Sequence, residues 1–260
     1  LNPHASPAIA TGPQPGRAAP SAAPGQAGVL LRARGLACER DGRQLFAPVD
    51  IDVRPGDVLE LLGDNGAGKS TLLRTLAGMS PDYVGELDFA GTPLRAAPPT
   101  LAADMLFLGH RSGLNAQLGP DENLAWYARL ASGDGAGAER IDAALHAVGL
   151  IGYLGVPCGQ LSAGQQRRAA LARLLIGRAR LWLLDEPTTA LDTAGVALLE
   201  SLLEAHRARG GAAVIATHAR LGSATATLRL DAADPWAAAA DARDEDARDD
   251  GAWRAGDDAP

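Results

Sequence analysis

Residues 63–71 read GDNGAGKST, and Lys69 within this glycine-rich run is the only lysine of the chain, although Lys and Arg together number 24. Position 69 therefore calls for an ammonium, where arginine serves every other basic position. An ammonium is a compact point charge on a flexible stem, and it enters a narrow ring of backbone amides that a planar guanidinium fork does not fit. Gly63, Gly68, Lys69 and Ser70 meet the spacing G-x-x-x-x-G-K-[ST]. In that pattern glycines let successive N–H groups converge on phosphate oxygens, the lysine reaches the outer phosphates and the hydroxyl binds Mg²⁺. The flanks agree: VLELL at 58–62 reads as a short buried strand, and STLLRTLA at 70–77 carries leucines at helical spacing. A helix N-terminus here adds free amides and partial positive charge to the same anion site. A chance glycine turn would not need the lysine. A dinucleotide-binding turn fails on spacing, because Gly63, Gly66 and Gly68 do not give G-x-G-x-x-G.

Downstream, LWLL at 181–184 is a second buried-strand candidate and runs into Asp185, Glu186 and Pro187. Two adjacent carboxylates at a strand end can be an ordinary exposed terminus. Beside a phosphate loop they have a better use, with Asp185 in the Mg²⁺ shell and Glu186 orienting the water that attacks the γ-phosphate. Pro187 halts the strand after the pair.

Between these sites residues 161–168 read LSAGQQRR, followed by AALARLLIGRA. Here the chain resembles the nucleotide-binding subunits of ABC transporters, whose hallmark is LSGGQ upstream of the second carboxylate motif. Ser162 with Gln165 also fits a plain capping box. The resemblance favours a second anion cup built from Ser162, Gly164 and Gln165. It implies an α/β fold, a P-loop NTPase of ABC ATPase type, with a mixed sheet core and an inserted helical subdomain at about 111–179. It further implies ATP held by Gly63, Asp64, Asn65, Gly66, Ala67, Gly68, Lys69, Ser70 and Thr71, with His110 nearby and Mg²⁺ on Ser70 and Asp185. Lys69, Glu186 and His218 are the implied catalytic residues. In the family the cup covers ATP held by a second subunit, so the partners implied are a homodimer across the nucleotide seam and integral membrane permease subunits. Thr189, Ala190, Leu191 and Asp192 resemble the D-loop of the family, and Thr217 with His218 its switch histidine. A lone histidine is more often a satisfied surface or core residue, but its place after a strand and a helix favours the phosphate contact.

Four stretches are similar in detail to the ATPase subunits of cytochrome c maturation, or heme, exporters. They are LACERDGRQLF at 36–46, LGHRSGLNAQLGPDENLAWY at 108–127, LSAGQQRRAALARL and LWLLDEPTTALD. His110 stands where most ABC ATPases carry Gln. This resemblance spans roughly 29–230 and implies a peripheral position on the cytoplasmic face of the inner membrane, with heme only indirectly involved. The aromatic residue that usually stacks on adenine falls near Glu39–Asp41, where only Arg40 offers a flat face. A soluble ABC-type ATPase in assembly or repair is the other reading, against which stands the single core without a heptad insertion. A GTPase with N-K-x-D is excluded, because the only lysine is in use.

Composition supports this division. Residues 231–260 carry ten acids and three arginines, and their net charge equals the −7 of the whole chain, leaving 1–230 neutral. No basic excess points to nucleic acid. Residues 1–28 are rich in Ala, Pro and Gly and read as a disordered extension without the apolar core of a signal peptide, and 231–260 read as an acidic disordered tail. Cys38 and Cys158 sit in no metal or heme-attachment spacing, so reduced thiols are expected. No segment has the length and apolarity of a membrane span. The middle reads as helices at DENLAWYARLAS, AERIDAALHAVG and from Ser162; Trp126 and Tyr127 belong either to the surface where family members dock the coupling helix of their membrane partner or, as their helical spacing favours, to the core.

Overall fold

The computed structural model describes residues 28–40, 43–96, 103–132, 137–218 and 220–231. The expected extension and acidic tail lie outside them, apart from Gly28 and Asp231. Two five-stranded sheets form the core. The first is antiparallel and contains β1 (Leu31–Arg40), β2 (Arg43–Gln44), β3 (Val49–Val53), β5 (Tyr83–Phe89) and β6 (Thr92–Pro93). The second is parallel, in the order β10-β4-β9-β8-β7. Its strands are β4 (Val58–Leu62), β7 (Met105–Leu108), β8 (Leu181–Asp185), β9 (Ala212–Ala216) and β10 (Ala226–Arg229).

Every residue of β8 and β9 is buried, as a parallel sheet covered on both faces requires. Side chains alternate between the faces. Leu61, Leu183 and Val214 pack with α1 (Lys69–Leu76) and the antiparallel sheet, around Phe46, Phe89, Leu72 and Leu73. Val58, Trp182, Leu184 and Ile215 face the other way, onto α5 (Thr193–Ala208) through Leu199 and Leu203 and onto α4 (Ala163–Ile176) through Leu171 and Leu174. A third cluster joins α2 (Pro120–Ser132) and α3 (Ala138–Ala147) to Ala169, Ala172 and Ile176 of α4. Helix α4 is thus clamped between the parallel sheet and the helical segment. None of the described helices is long and apolar enough to cross a membrane.

Trp126 takes the surface place, against the core that helical spacing favours: it is 54% exposed, and Leu130 is 65% exposed. Leu124 and Ala128 point α2 into the core, and Trp126 stands two residues from each, about 200° round the helix. Both cysteines are free and buried, and burial pushes both thiols up.

The start of α1 is fixed by Gly68, whose φ of 89° is left-handed. A Cβ there would lie 2.7 Å from the Phe46 ring. Gly68→Ala is expected to cost about 2 kcal/mol from the left-handed backbone and the overpacking together, measured as a lowered urea midpoint.

His206 of α5 stacks flat on Trp182 of β8, with ring centroids 3.7 Å apart, and is buried. Burial holds its imidazole below the usual 6.5, helped slightly by the charge of Arg209 and opposed by the Ala212 and Arg180 carbonyls. The folded state therefore prefers the neutral ring, so this stabilisation is present above pH 6.5 and is lost as pH falls below it. Urea midpoints measured from pH 7.5 to 5.5 should drop on acidification, and less steeply in His206→Gln.

Candidate active site

Four of the segments that carry candidate site residues leave the C-terminal ends of parallel strands. The glycine-rich loop follows β4, Gly109 and His110 follow β7, Glu186 follows β8, and Thr217 and His218 follow β9. In open α/β sheets this edge is where ligands bind. A cleft of about 450 Å³ lies there, lined by Leu45, Asn65, Gly66, Gly68, Lys69, Ser70, Thr71, His110, Glu186, Thr189 and His218.

The loop wraps the Lys69 ammonium. Its Nζ donates to the carbonyls of Gly63 (2.7 Å) and Asp64 (3.1 Å), and the side chain is buried. An ammonium has three donors, so two brace the loop while the side chain also lines the cleft. Gly63 approaches the chain so closely that a Cβ would meet the Leu230 carbonyl oxygen at 2.5 Å. Ala67 is buried beneath the loop.

Ser70 lies in the first turn of α1 and Asp185 ends β8, yet they meet: Ser70 Oγ donates to Asp185 Oδ1 at 2.9 Å. Asp185 is buried in β8, which runs one residue further than the sequence reading placed it. Glu186 then turns sharply, with φ at 48°, a conformation costly for a side-chain-bearing residue. Its N–H donates to Ala216 O at 2.8 Å, and its carboxylate meets His218, Glu186 Oε1 to Nε2 at 3.2 Å. Glu60, buried on β4, anchors the segment beyond His218 by accepting from the Leu221 N–H at 2.5 Å.

Ser162, Gly164, Gln165 and Asp192 are not brought to this cleft. They line a second one with Gly149, Leu150, Tyr153, Arg168 and Ala190. Ser162 caps α4 through a full capping box: its Oγ accepts from Gln165 N, and its N–H donates to Gln165 Oε1. Asp192 caps α5 through Gly195 N and pairs with Arg168 at 2.6 Å. Arg168 and the Gly195 amide hold the Asp192 carboxyl below the usual range.

Two contributors were not read from the sequence. Leu45 gives the first cleft an apolar wall; the side chain of Arg40, the flat face that the sequence offers for stacking, and all of Asp41 lie outside the described residues. Arg167 is buried behind the cleft with its guanidinium on backbone carbonyls of the site. Its place in a helix beginning LSAGQ gave no sign of which way it points.

Residues 46–189 match the family model described as ABC transporter. The chain is 47% identical over 192 residues to the cytochrome c biogenesis ATP-binding export protein CcmA of Saccharophagus degradans, covering 71% of this chain and 85% of that protein. It is 50% identical over 188 residues to the protein of the same name from Pseudomonas putida, covering 72% and 89%. Among solved structures, an ABC transporter ATP-binding protein from Pyrococcus furiosus matches with a TM-score of 0.68 at 25% identity, over 77% of this chain and 96% of that one. An ATP-binding cassette solved as a dimer in a post-hydrolysis state with ADP and Pi shares the fold, with a TM-score of 0.68 at 21% identity over 78% and 94%. The chain belongs to the ABC transporter family, as an ATPase subunit of the group that contains the cytochrome c biogenesis export proteins.

Proposed function

We propose that the chain binds ATP with Mg²⁺ in the cleft at the C-terminal edge of the parallel sheet and hydrolyses it to drive a membrane complex of cytochrome c biogenesis. The observation that carries this reading is the convergence, around Lys69, of the Ser70–Asp185 pair and the Glu186–His218 pair.

Residues 63–71 cradle the phosphates with backbone amides, and Lys69 neutralises their outer oxygens. Ser70 Oγ and the Asp185 carboxylate are hard oxygen donors 2.9 Å apart. That set suits Mg²⁺, which keeps waters and takes one or two carboxylates alongside substrate phosphates. Held by Ser70 and Asp185, the ion would supply charge neutralisation for the phosphates. Glu186 orients a water for in-line attack; the new P–O bond forms as the bond to ADP breaks, and phosphate departs. His218 holds the Glu186 carboxylate on one side and reaches toward the γ-phosphate on the other. Leu45 offers an apolar surface for the base.

The cup at Ser162, Gly164 and Gln165 opens into a different cleft from Lys69, which supports its covering the nucleotide of a second copy. The active form is then a homodimer with two nucleotides at the seam. Membrane permease subunits dock on the helical region, where Trp126 and Leu130 are exposed, and the assembly sits on the cytoplasmic face of the inner membrane. The relatives named for cytochrome c biogenesis export support heme export or heme release as the work performed, with heme handled by the membrane partner.

Glu186→Gln should lower the hydrolysis rate by about 100-fold or more while ATP binding persists and an ATP-dependent dimer accumulates on size-exclusion chromatography. Undiminished hydrolysis would refute the role of Glu186. Lys69→Arg keeps the charge but not the shape, so equilibrium binding should show loss of tight ATP affinity.

A further inference from the structure

Arg167 lies within LSAGQQRR but has no role assigned from the sequence, yet its guanidinium touches more of the site's backbone than Lys69 does. Nε donates to Pro187 O (3.1 Å), Nη1 to Gly109 O (3.0 Å), and Nη2 to both Asp185 O (3.0 Å) and Glu186 O (2.5 Å). The side chain is 5% exposed. Its burial lowers its affinity for the proton, opposed by the nearby charges of Asp185 and Glu186. A buried guanidinium is costly unless its donors are met. Here backbone carbonyls accept from all three of its nitrogens, one at the end of β8 and the others in the loops that follow β7 and β8.

We infer that Arg167 is a positioning residue that holds Glu186 in its left-handed turn and fixes the start of the His110 loop, linking the hydrolytic geometry to the placement of α4. The turn at Glu186 has φ 48° and persists only if its surroundings over-determine it. The Ala216 carbonyl holds it from the β9 side, and the Arg167 fork holds three consecutive carbonyls from the α4 side. A fan of directed donors can serve three carbonyls plus Gly109 at once; an ammonium, with its donors at one point, cannot. Helix α4 also begins at the Ser162 cup. Resting on the dimer proposed above, in which that cup covers the partner's nucleotide, the same rigid helix touches one nucleotide and sets Glu186 for the other. Arg167 then makes hydrolysis at one seam sensitive to occupancy of the next.

The test uses the full chain with Arg167→Lys and Arg167→Gln, alone and combined with Glu186→Gln. Each single variant should lower kcat by about 10- to 100-fold, the scale expected for a small misplacement of a reacting group. ATP Kd and KM should stay within about twofold, because the phosphate loop is not touched. The Hill coefficient for ATP should fall toward 1. In the Glu186→Gln background, Arg167→Lys should change the residual rate less than about twofold, since residues acting as a unit are not additive. Folding is checked by circular dichroism and melting temperature. A folded Arg167→Lys protein with kcat and Hill coefficient like the parent overturns the inference. So does a loss that multiplies in the Glu186→Gln background, or unfolding of both substitutions, which assigns Arg167 to stability alone. If Glu186→Gln by itself leaves hydrolysis unchanged, it is the proposed function that fails, and this is read from that single variant.

Discussion

A sheet whose strands all run one way must deliver every loop that follows a strand to the same edge. That constraint organises this molecule. Positions 63, 109, 186 and 217 are far apart in the chain, yet each follows the C-terminal end of a strand in the order β10-β4-β9-β8-β7. The register then decides which loops meet. Asp185 on β8 and Leu61 on β4 both pair with Ala216 on β9, so the three strand ends are level. Ser70, one residue into α1, therefore reaches Asp185 across the intervening β9. The antiparallel sheet plays no comparable part in the chemistry. It closes the core over α1 and delivers Leu45 and Phe46 to the loop from the other side.

The two kinds of cation in the site illustrate why the chain uses lysine once. Lys69 must fit inside a loop and present its charge at a point, and the carbonyls of Gly63 and Asp64 sit close enough that a broad head would displace them. Arg167 has the opposite task, since its acceptors are spread over Gly109, Asp185, Glu186 and Pro187 and call for a flat fork with donors in fixed directions. Both groups are buried. Exchange of the two would leave the local charge unchanged and satisfy neither set of acceptors.

The parts of this architecture that are contiguous in sequence were legible there. The loop at 63–71, the carboxylates after 181–184 and the capping box at Ser162 and Gln165 each carry their geometry in a few neighbouring residues, and the expected elements appear within a residue or so. Contacts made across the fold were not legible. Arg167 and Arg168 are adjacent and chemically identical, but a helix turns about 100° per residue, so one points into the site and the other out to Asp192. Only the packing of α4 on its neighbours decides which. Trp126, for which helical spacing favours the core, is outside it for a related reason. Aromatic residues at helical spacing usually mark a core face, but here small Ala128 and Leu124 make that face and the indole is left outside. Leu45 could not be placed from sequence at all, because its contact with the loop depends on how the two sheets stack.

Helix α4 is the element through which these long-range contacts pass. Its N-terminus carries the cup, and Arg167 lies five residues beyond the Ser162 cap, about 8 Å along the axis at 1.5 Å per residue. Its middle is buried on both sides, with Ala170, Leu171 and Leu174 against the sheet and α5, and Ala169, Ala172 and Ile176 against α2 and α3. Interiors packed at this density transmit displacement because they do not absorb it. A shift of the helical segment, on the surface where Trp126 and Leu130 are exposed, would therefore move the cup and the Arg167 fork together. The cup and the fork serve different clefts, so the same displacement acts on both. In a helix attached less firmly, or with a flexible lysine at position 167, its N-terminus and the carbonyls that Arg167 holds would no longer move as one body.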